Sequence, residues 1–275
     1  MQNNIVVPAR RILRLFCLLL AALSLPSPVS AQTNAVDPFD PFDPVEFFKR
    51  HIFPYEPIYF VAGSTDPNAK FQFGFRYQIA ETESKWLNGF SFAYTQTSLW
   101  DLSSPSAPFY DSSYKPEVLY AYNELIGGGP TNWFRLDGQV GAQHESNGKS
   151  GVDSRSLNIA YVRPAIVFGY PDHLHLTLQP RVWAYMGDLS DNPDIDQYRG
   201  NFDLRAMLTY KDLQLSAFGR MGKEWDNYGV QIDLTYRIPK TGIYLDLQYF
   251  TGYGESLLGY NQKSEAFRAG IALFR

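Results

Sequence analysis

The 275-residue chain has one cysteine, Cys17, and few charged side chains, which make up 19% of the sequence. Its mean hydropathy of −0.27 excludes a bundle of membrane-spanning helices. The net charge is −4 and no basic tract or basic face stands out, so nucleic acid is not an expected partner. Aromatic residues, by contrast, are abundant at 16%. Many aromatics with low hydropathy are typical of a membrane β-barrel.

Residues 1–31 have the layout of a secretory signal peptide. Three arginines form the positive region, and residues 15–25 form an apolar region that is too short to span a bilayer comfortably. Small residues precede Gln32, which predicts cleavage there and removal of the segment that contains Cys17. The mature chain would then have neither disulfides nor thiol chemistry. An uncleaved membrane anchor is the alternative interpretation.

Residues 32–57 are predicted to form an N-terminal arm rich in proline. The short tandem DPFDPFDP occupies residues 37–44. Proline at this density blocks both helical and ladder hydrogen bonds, which predicts an extended arm. Its phenylalanines are available to dock on the folded body, and a binding motif is the functional alternative.

From residue 58 to residue 275 the sequence consists of alternating runs separated by turn residues. In one of them Phe71, Phe73 and Phe75 alternate with Gln72 and Gly74. There are about twelve such runs of about ten residues, the length with which a tilted strand crosses hydrocarbon. In lipid every strand must be paired, since an open edge leaves backbone groups unsatisfied. The pattern predicts an all-β protein, a single closed antiparallel transmembrane β-barrel of about twelve strands.

His144 and Ser146 continue the apolar face of one run, so they are predicted to point outward, toward lipid. Side chains at i and i+2 of a strand lie about 6–7 Å apart on one face, within reach of each other. A hairpin centred near Gly151 would place Asn158 beside His144. The three residues then supply a nucleophile, a base and an orienting group for acyl transfer. Spacing alone is also compatible with a non-catalytic role, in which these polar residues end a strand at the level of the lipid headgroups.

The motif HESNG at residues 144–148, followed by SRS at 154–156 and Asn158, resembles the signature of the outer-membrane phospholipase A family. The resemblance covers most of the chain after about residue 58. Further matching stretches occur in the same order along the chain: YTQ at 94–96 with Ser98, YKPE at 114–117, DNPDI at 191–195 and GYGESL at 252–257.

This resemblance implies a twelve-stranded barrel in the Gram-negative outer membrane that hydrolyses acyl esters of phospholipids and lysophospholipids with calcium. It further implies an inactive monomer and an active homodimer, with membrane phospholipids as substrate. Carried over to this chain, Ser146 is the nucleophile, His144 the base and Asn158 the group that orients it. The backbone N–H of Gly148 belongs to the oxyanion hole, and Gln96 matches a polar residue at the dimer interface.

The resemblance also implies a set of calcium ligands. In the dimer these are the carbonyl oxygen of Lys149 and the hydroxyl of Ser154 from one chain, with Ser106 from the other. Asp191 matches a second acidic calcium ligand, one of the monomeric enzyme. The chain departs from the family at Gly151, where an acidic residue is usual.

The sequence also permits other interpretations. A non-enzymatic pore or structural barrel would need no outward trio of His144, Ser146 and Asn158. A deacylase for another lipid would use the same chemistry as a phospholipase. His173 and His175 are spaced for a metal, but their alternation with leucines predicts that they face the lumen.

Overall fold

The computed structural model describes residues 44–84, 86–127 and 132–274. The predicted signal peptide at residues 1–31, with Cys17, and the first part of the arm at residues 32–43 lie outside the described residues. The described helices are α1 (Pro44–His51) and α2 (Ile195–Arg199). The described strands are β1 (Ile52–Pro54), β2 (Ile58–Gly63), β3 (Ala69–Gln78), β4 (Phe90–Trp100), β5 (Phe109–Gly127), β6 (Phe134–Ser146), β7 (Ser156–Gly169), β8 (His175–Met186), β9 (Phe202–Tyr210), β10 (Leu213–Met221), β11 (Tyr228–Arg237), β12 (Tyr244–Tyr253) and β13 (Lys263–Phe274).

The strands form one antiparallel sheet that closes on itself. From β2 to β13 each strand pairs with the next along the chain, and β13 pairs back with β2, with Phe274 opposite Ile58. The short strand β1 pairs with β3 and continues the line of β2, after an interruption at residues 55–57. The wall therefore has twelve positions, which confirms the predicted barrel, and β1 is an extra piece of its first strand.

The two rims of the barrel carry different connections. One rim, here called the outer rim, carries long loops such as residues 187–201 and 254–262, and also the loop at 147–155. The other, the inner rim, has mostly shorter connections, such as the two residues 211–212 and residues 170–174, with one longer connection at 79–89. In outer-membrane barrels the long loops are extracellular and the short turns are periplasmic. The loop beside His144 and Ser146 therefore lies on the extracellular side.

The wall is apolar outside and polar inside. Large apolar side chains such as Phe75, Phe92 and Val118 are exposed on the outer surface. Charged side chains such as Arg268 and Asp203 are buried within the lumen. Lipid surrounds such a wall and water or polar groups fill it, which explains this inversion of the usual protein pattern.

The interruption in the first strand sends two side chains into the lumen. The carboxylate of Glu56 accepts hydrogen bonds from Arg163 and Arg205, each at 2.7 Å. The hydroxyl of Tyr55 accepts hydrogen bonds of 2.6 Å from Gln139 and from Arg163. These contacts join the first strand to the opposite wall of the barrel. The charges are tolerated in the low-dielectric interior because they are paired and hydrogen-bonded.

The larger of two apolar clusters among the described residues, here called the apolar core, lies inside the outer end of the barrel. The lumen-facing side chains of β7, among them Leu157 and Ile159, pack against Ile195 of α2 and against Leu257 in the loop that precedes β13. Two long loops of the outer rim thus fold into the mouth of the barrel. They support the strands that carry the candidate residues from behind.

The described part of the arm contains a helix, so the expectation of an extended arm is wrong for residues 44–51. Pro44 is the first helical residue, a position where the missing N–H of proline leaves no helical hydrogen bond unmade. Phe47 docks on Tyr77 of β3, with the ring centroids 6.0 Å apart. Within the described ranges, no helix is long and apolar enough to cross a membrane.

Candidate active site

The β6–β7 hairpin brings His144 and Asn158 together. The two residues are directly opposite each other in the antiparallel register, which confirms the predicted hairpin about Gly151. The Nδ1 atom of His144 lies 2.9 Å from the Oδ1 atom of Asn158. Both side chains are exposed on the lipid-facing side of the wall.

This hydrogen bond selects one tautomer of the ring. An amide oxygen only accepts hydrogen bonds, so the proton of neutral His144 lies on Nδ1. The Nε2 atom then has a free lone pair that can accept a proton from a hydroxyl. This is the tautomer that a general base requires.

Buried neighbours fix the outward direction of the two side chains. Gln143 and Glu145 flank His144 and both are buried in the lumen, where Gln143 donates a 3.0 Å hydrogen bond to Glu117. Leu157 and Ile159 flank Asn158 and belong to the apolar core. A slip of one residue would reverse both faces, moving Glu145 into lipid and His144 into the lumen.

Ser146 is the last residue of β6, two positions beyond His144 on the same face. It lies opposite Ser156 of β7 and opposite Tyr114 of β5, and it is half-buried. Its hydroxyl makes no side-chain hydrogen bond with the part of the chain that the structure describes. The i, i+2 spacing keeps it about 6–7 Å from His144 along the strand, within reach of a rotating hydroxyl and imidazole.

The turn after Ser146 requires a glycine at position 148. Gly148 has φ +67°, a left-handed conformation that side chains disfavour, and an added Cβ would lie 3.0 Å from the Tyr114 ring. Asn147 holds the turn, since its Oδ1 atom accepts the N–H groups of Lys149 (3.2 Å) and Arg155 (3.0 Å). The turn therefore presents the Gly148 peptide beside Ser146 in a fixed conformation.

Two of the predicted calcium ligands, Asp191 and Ser154, meet at the outer rim. The Oδ2 atom of Asp191 lies 3.1 Å from the hydroxyl of Ser154 and 3.0 Å from that of Ser156. The ammonium group of Lys149 is not bonded to Asp191 or Ser154; it donates a 2.7 Å hydrogen bond to the carbonyl oxygen of Tyr110. Position 151, where the family usually has an acidic residue, is a glycine in this chain. The carboxylate beside Ser154 comes instead from Asp191, in a different loop.

Ser106 lies in the loop between β4 and β5, exposed and with φ 69°. Hydrogen bonds from Ser104 and Ser103 hold the pKa of Asp101, in the same loop, below its usual range. Among the hydrogen bonds of the described residues, none joins Ser106 to Lys149 or Ser154.

Gln96 faces lipid at mid-height of β4. Its Oε1 atom accepts a 3.1 Å hydrogen bond from Tyr94, and its Nε2 atom donates one of 3.1 Å to Ser98. Ser98 in turn is 2.8 Å from the hydroxyl of Ser112. This row of polar groups runs along a wall that is otherwise apolar.

Comparison with known proteins decides the family. The profile of the family described as phospholipase A1 matches residues 54–273 of this chain. The chain belongs to the phospholipase A1 family.

Members of this family include the phospholipases A1 of Escherichia coli strain K12 and of Salmonella typhimurium strain LT2. They are 33% and 32% identical to this chain over 185 residues, which cover 66% of it. The matched segment spans 61% of the length of these relatives.

Solved structures show the same architecture. Outer membrane phospholipase A from Escherichia coli superposes with a TM-score of 0.69 at 26% identity, covering 81% of this chain and 98% of that one. The outer membrane phospholipase of Salmonella typhi, a dimer with bound calcium, has a TM-score of 0.69 at 25% identity. That match covers 86% of this chain and 93% of the Salmonella chain. This phospholipase A1 family member is therefore a Gram-negative outer-membrane β-barrel.

Several residues that shape the site were missed at the level of sequence. Asn147 was part of the HESNG motif, but its hydrogen bonds to the turn became visible only in the structure. Asn192 is fully buried and accepts a 3.1 Å hydrogen bond from the N–H of Ser156 across 36 residues. The sequence signal for both was their place inside matching stretches, HESNG at 144–148 and DNPDI at 191–195.

Two further predictions concern the histidine pair and the metal site. His175 lies at the inner rim, where its Nδ1 atom is 3.1 Å from the carbonyl oxygen of His173. Over the described ranges, no group of three or more His, Cys, Asp and Glu side chains could hold a metal ion. A calcium site would therefore depend on hydroxyl and carbonyl oxygens in addition to carboxylates.

Proposed function

We propose that this chain hydrolyses acyl ester bonds of phospholipids and lysophospholipids, with Ser146, His144 and Asn158 as its catalytic residues. The observation that carries the proposal is the 2.9 Å contact between His144 and Asn158 on the lipid-facing wall at the outer rim. The ester of a bilayer lipid lies near the headgroup boundary. A nucleophile there meets its substrate without a pocket inside the barrel.

In the first half of the reaction, the Oγ atom of Ser146 attacks the ester carbonyl while Nε2 of His144 takes the hydroxyl proton. Asn158 retains the Nδ1 proton and holds the ring plane. The ester C–O bond then breaks, and His144 returns the proton to the departing alkoxide of the lysolipid. The acyl chain remains on Ser146 as an ester.

In the second half, a water molecule attacks the acyl-serine carbonyl and His144 takes its proton. Collapse of the tetrahedral intermediate releases a fatty acid, and the proton returns to Ser146. The N–H of Asn147 is occupied by the carbonyl oxygen of Arg155 at 3.0 Å, so the N–H of Gly148, the next one along the turn, is the proposed backbone donor to the oxyanion. One such donor contributes about 3–4 kcal/mol to stabilisation of the oxyanion in related hydrolases.

Calcium is the proposed metal, and the residues present fit it. Asp191, Ser154 and Ser156 gather hard oxygen atoms at the outer rim, the ligand type that calcium prefers. Lys149 would add its carbonyl oxygen, and Ser106 of a second copy its hydroxyl. When bound, the ion supplies positive charge beside the oxyanion. The calcium bound to the Salmonella typhi dimer supports this assignment.

The active form is proposed to be a homodimer, with the monomer inactive. Ser106 has no hydrogen bond to Lys149 or Ser154 among the described residues, and in the proposed dimer the Ser106 hydroxyl of one chain completes the metal site of the other. Gln96 and its polar neighbours lie on the outer wall, where pairing across two chains would cover them from lipid. The dimeric relative from Salmonella typhi supports this arrangement.

The test is hydrolysis of phospholipid in mixed micelles with calcium by the Ser146→Ala variant. Turnover is expected to fall by on the order of 10⁴-fold or more, while the heat-dependent shift in gel mobility of a folded barrel stays unchanged. Ser216→Ala, in β10 on the lumen side, is the matched control and should retain activity. Full activity of Ser146→Ala would remove that residue from the mechanism. Ion conduction in planar bilayers without any hydrolysis would favour a pore instead.

A further inference from the structure

Helix α1 lies outside the barrel, against its lipid-facing wall at the inner rim. Phe73 and Phe75 of β3 are exposed on the outer wall, and Tyr77 continues that face toward the rim. The ring of His51 stacks on Tyr77 with the centroids 5.7 Å apart, and Phe47 lies 6.0 Å from the same ring. The helix therefore rests on the part of the wall that belongs to the membrane boundary.

The residues of α1 separate into two arcs at 3.6 residues per turn. Val45, Phe47, Phe48 and His51 share one arc, and half of that arc faces the barrel wall. The other half is exposed, with Val45 at 59% and Phe48 at 56% of their full accessibility. The opposite arc consists only of charged residues: Glu46, Lys49 and Arg50. This is the pattern of a helix that lies in the plane of a membrane interface.

The surroundings of α1 point to lipid as the partner of its exposed apolar side. On the adjoining turn between β3 and β4, Trp86 and Leu87 are exposed at 70% and 51%, in keeping with an interfacial aromatic belt. On the charged side, Arg50 pairs with Glu81 of that turn at 3.4 Å, which directs this arc toward water. The apolar arc is thus continuous with the lipid-facing wall, and the charged arc with the periplasmic turn.

We propose that α1 is an interfacial anchor that inserts Val45 and Phe48 into the periplasmic leaflet of the outer membrane, a phospholipid surface. The anchor holds the chain just before β1. Strand β13 ends opposite Ile58, so β1 has only β3 as a described partner strand. Lipid contact at α1 thus secures a segment that the sheet pairs on one side alone.

The experiment places a fluorescent label on each arc of the helix. The full chain has one cysteine, so Cys17→Ala provides a background in which each new thiol is unique. Phe48→Cys and Glu46→Cys are labelled with a polarity-sensitive fluorophore and reconstituted in vesicles of phosphatidylethanolamine and phosphatidylglycerol. Phe92→Cys on the lipid-facing wall and Val152→Cys, a site that is 90% exposed in an outer-rim loop, give the lipid and water references.

The expected result is that nitroxide-labelled lipid quenches the Phe48 label several-fold more than the Glu46 label, and that aqueous iodide shows the reverse order. The Phe48 label should also emit at shorter wavelength, near the Phe92 reference. A Phe48 label that behaves like the Val152 reference overturns the proposal. So does one shielded from both quenchers, because that outcome would indicate a covering protein or second copy. Heat-modified gel mobility confirms that each labelled barrel is folded.

Discussion

Glu145 and Arg199 form an ion pair directly behind the candidate catalytic residues, with Nη1 of Arg199 3.1 Å from Oε2 of Glu145. Both side chains are nearly buried, and the hydroxyl of Ser113 donates a further 2.5 Å hydrogen bond to the same carboxylate. Glu145 lies between His144 and Ser146 in sequence. The pair therefore ties the end of β6 to helix α2 at the point where the two outward side chains begin.

Glu145→Gln should destabilise the barrel by about 3–5 kcal/mol, because it leaves the guanidinium of Arg199 buried without its counter-charge. Urea unfolding from vesicles, followed by tryptophan fluorescence, measures this loss. The double variant Glu145→Gln/Arg199→Gln should lose less than the sum of the two single variants. Strict additivity would contradict a direct interaction between the two side chains.

Asn158→Ala should lower the turnover number about 10- to 100-fold, since a hydrogen bond to a charged group contributes about 1.5–3 kcal/mol and His144 becomes charged during the reaction. The Michaelis constant should change little, because Asn158 acts on the base. Asn158→Asp keeps an acceptor oxygen in place and should recover most of the activity. Steady-state kinetics with a soluble ester separates the two constants, and equal activity of Asn158→Ala and the unaltered chain would rule out this role.

Removal of calcium with a chelator should abolish hydrolysis, and added calcium should restore it. Asp191→Asn should raise the calcium concentration needed for half-maximal activity by roughly tenfold or more, because fewer ligand charges weaken calcium sites. Asp172→Asn, in a turn of the inner rim, is the matched control with unchanged calcium dependence. An identical calcium titration for Asp191→Asn and Asp172→Asn would exclude Asp191 from the site.

Gln96→Leu should weaken dimerisation by a factor of about 3 to 20, the range that corresponds to interhelical hydrogen bonds of about 0.6–1.7 kcal/mol measured within membranes. Ala206→Leu adds apolar bulk on the outer face of β9 and serves as the control. Chemical crosslinking in micelles across a dilution series measures the monomer–dimer equilibrium. An unchanged equilibrium for Gln96→Leu would place the interface elsewhere on the wall.

Much of the site could be predicted because strand parity is a strong constraint. His144 and Ser146 share the parity of apolar residues, and the hairpin about Gly151 sets Asn158 opposite His144. The approach of Asp191 to Ser154 could not be read from parity, since it depends on how a long loop folds back. The Glu145–Arg199 pair required the same knowledge of loop packing.

The first strand and the arm show where composition misleads. The alternating pattern begins at residue 58, so it does not predict β1, which has three residues and ends in proline. The proline-rich tandem favoured an extended arm, yet Pro44 opens a helix. A proline interrupts a helix in its interior but is well accommodated at its first position, and short elements carry too few residues to separate these cases.

The seam between β2 and β13 constrains how the barrel assembles. Every other pairing along the wall joins strands that are close in sequence, whereas Ile58 and Phe274 are more than two hundred residues apart. Local hairpins form readily, but a contact of such high sequence separation forms late and slowly. Until it forms, both terminal strands expose unpaired backbone to lipid. The order of events that avoids this cost is one in which the two edge strands enter the hydrocarbon only as the seam between them closes.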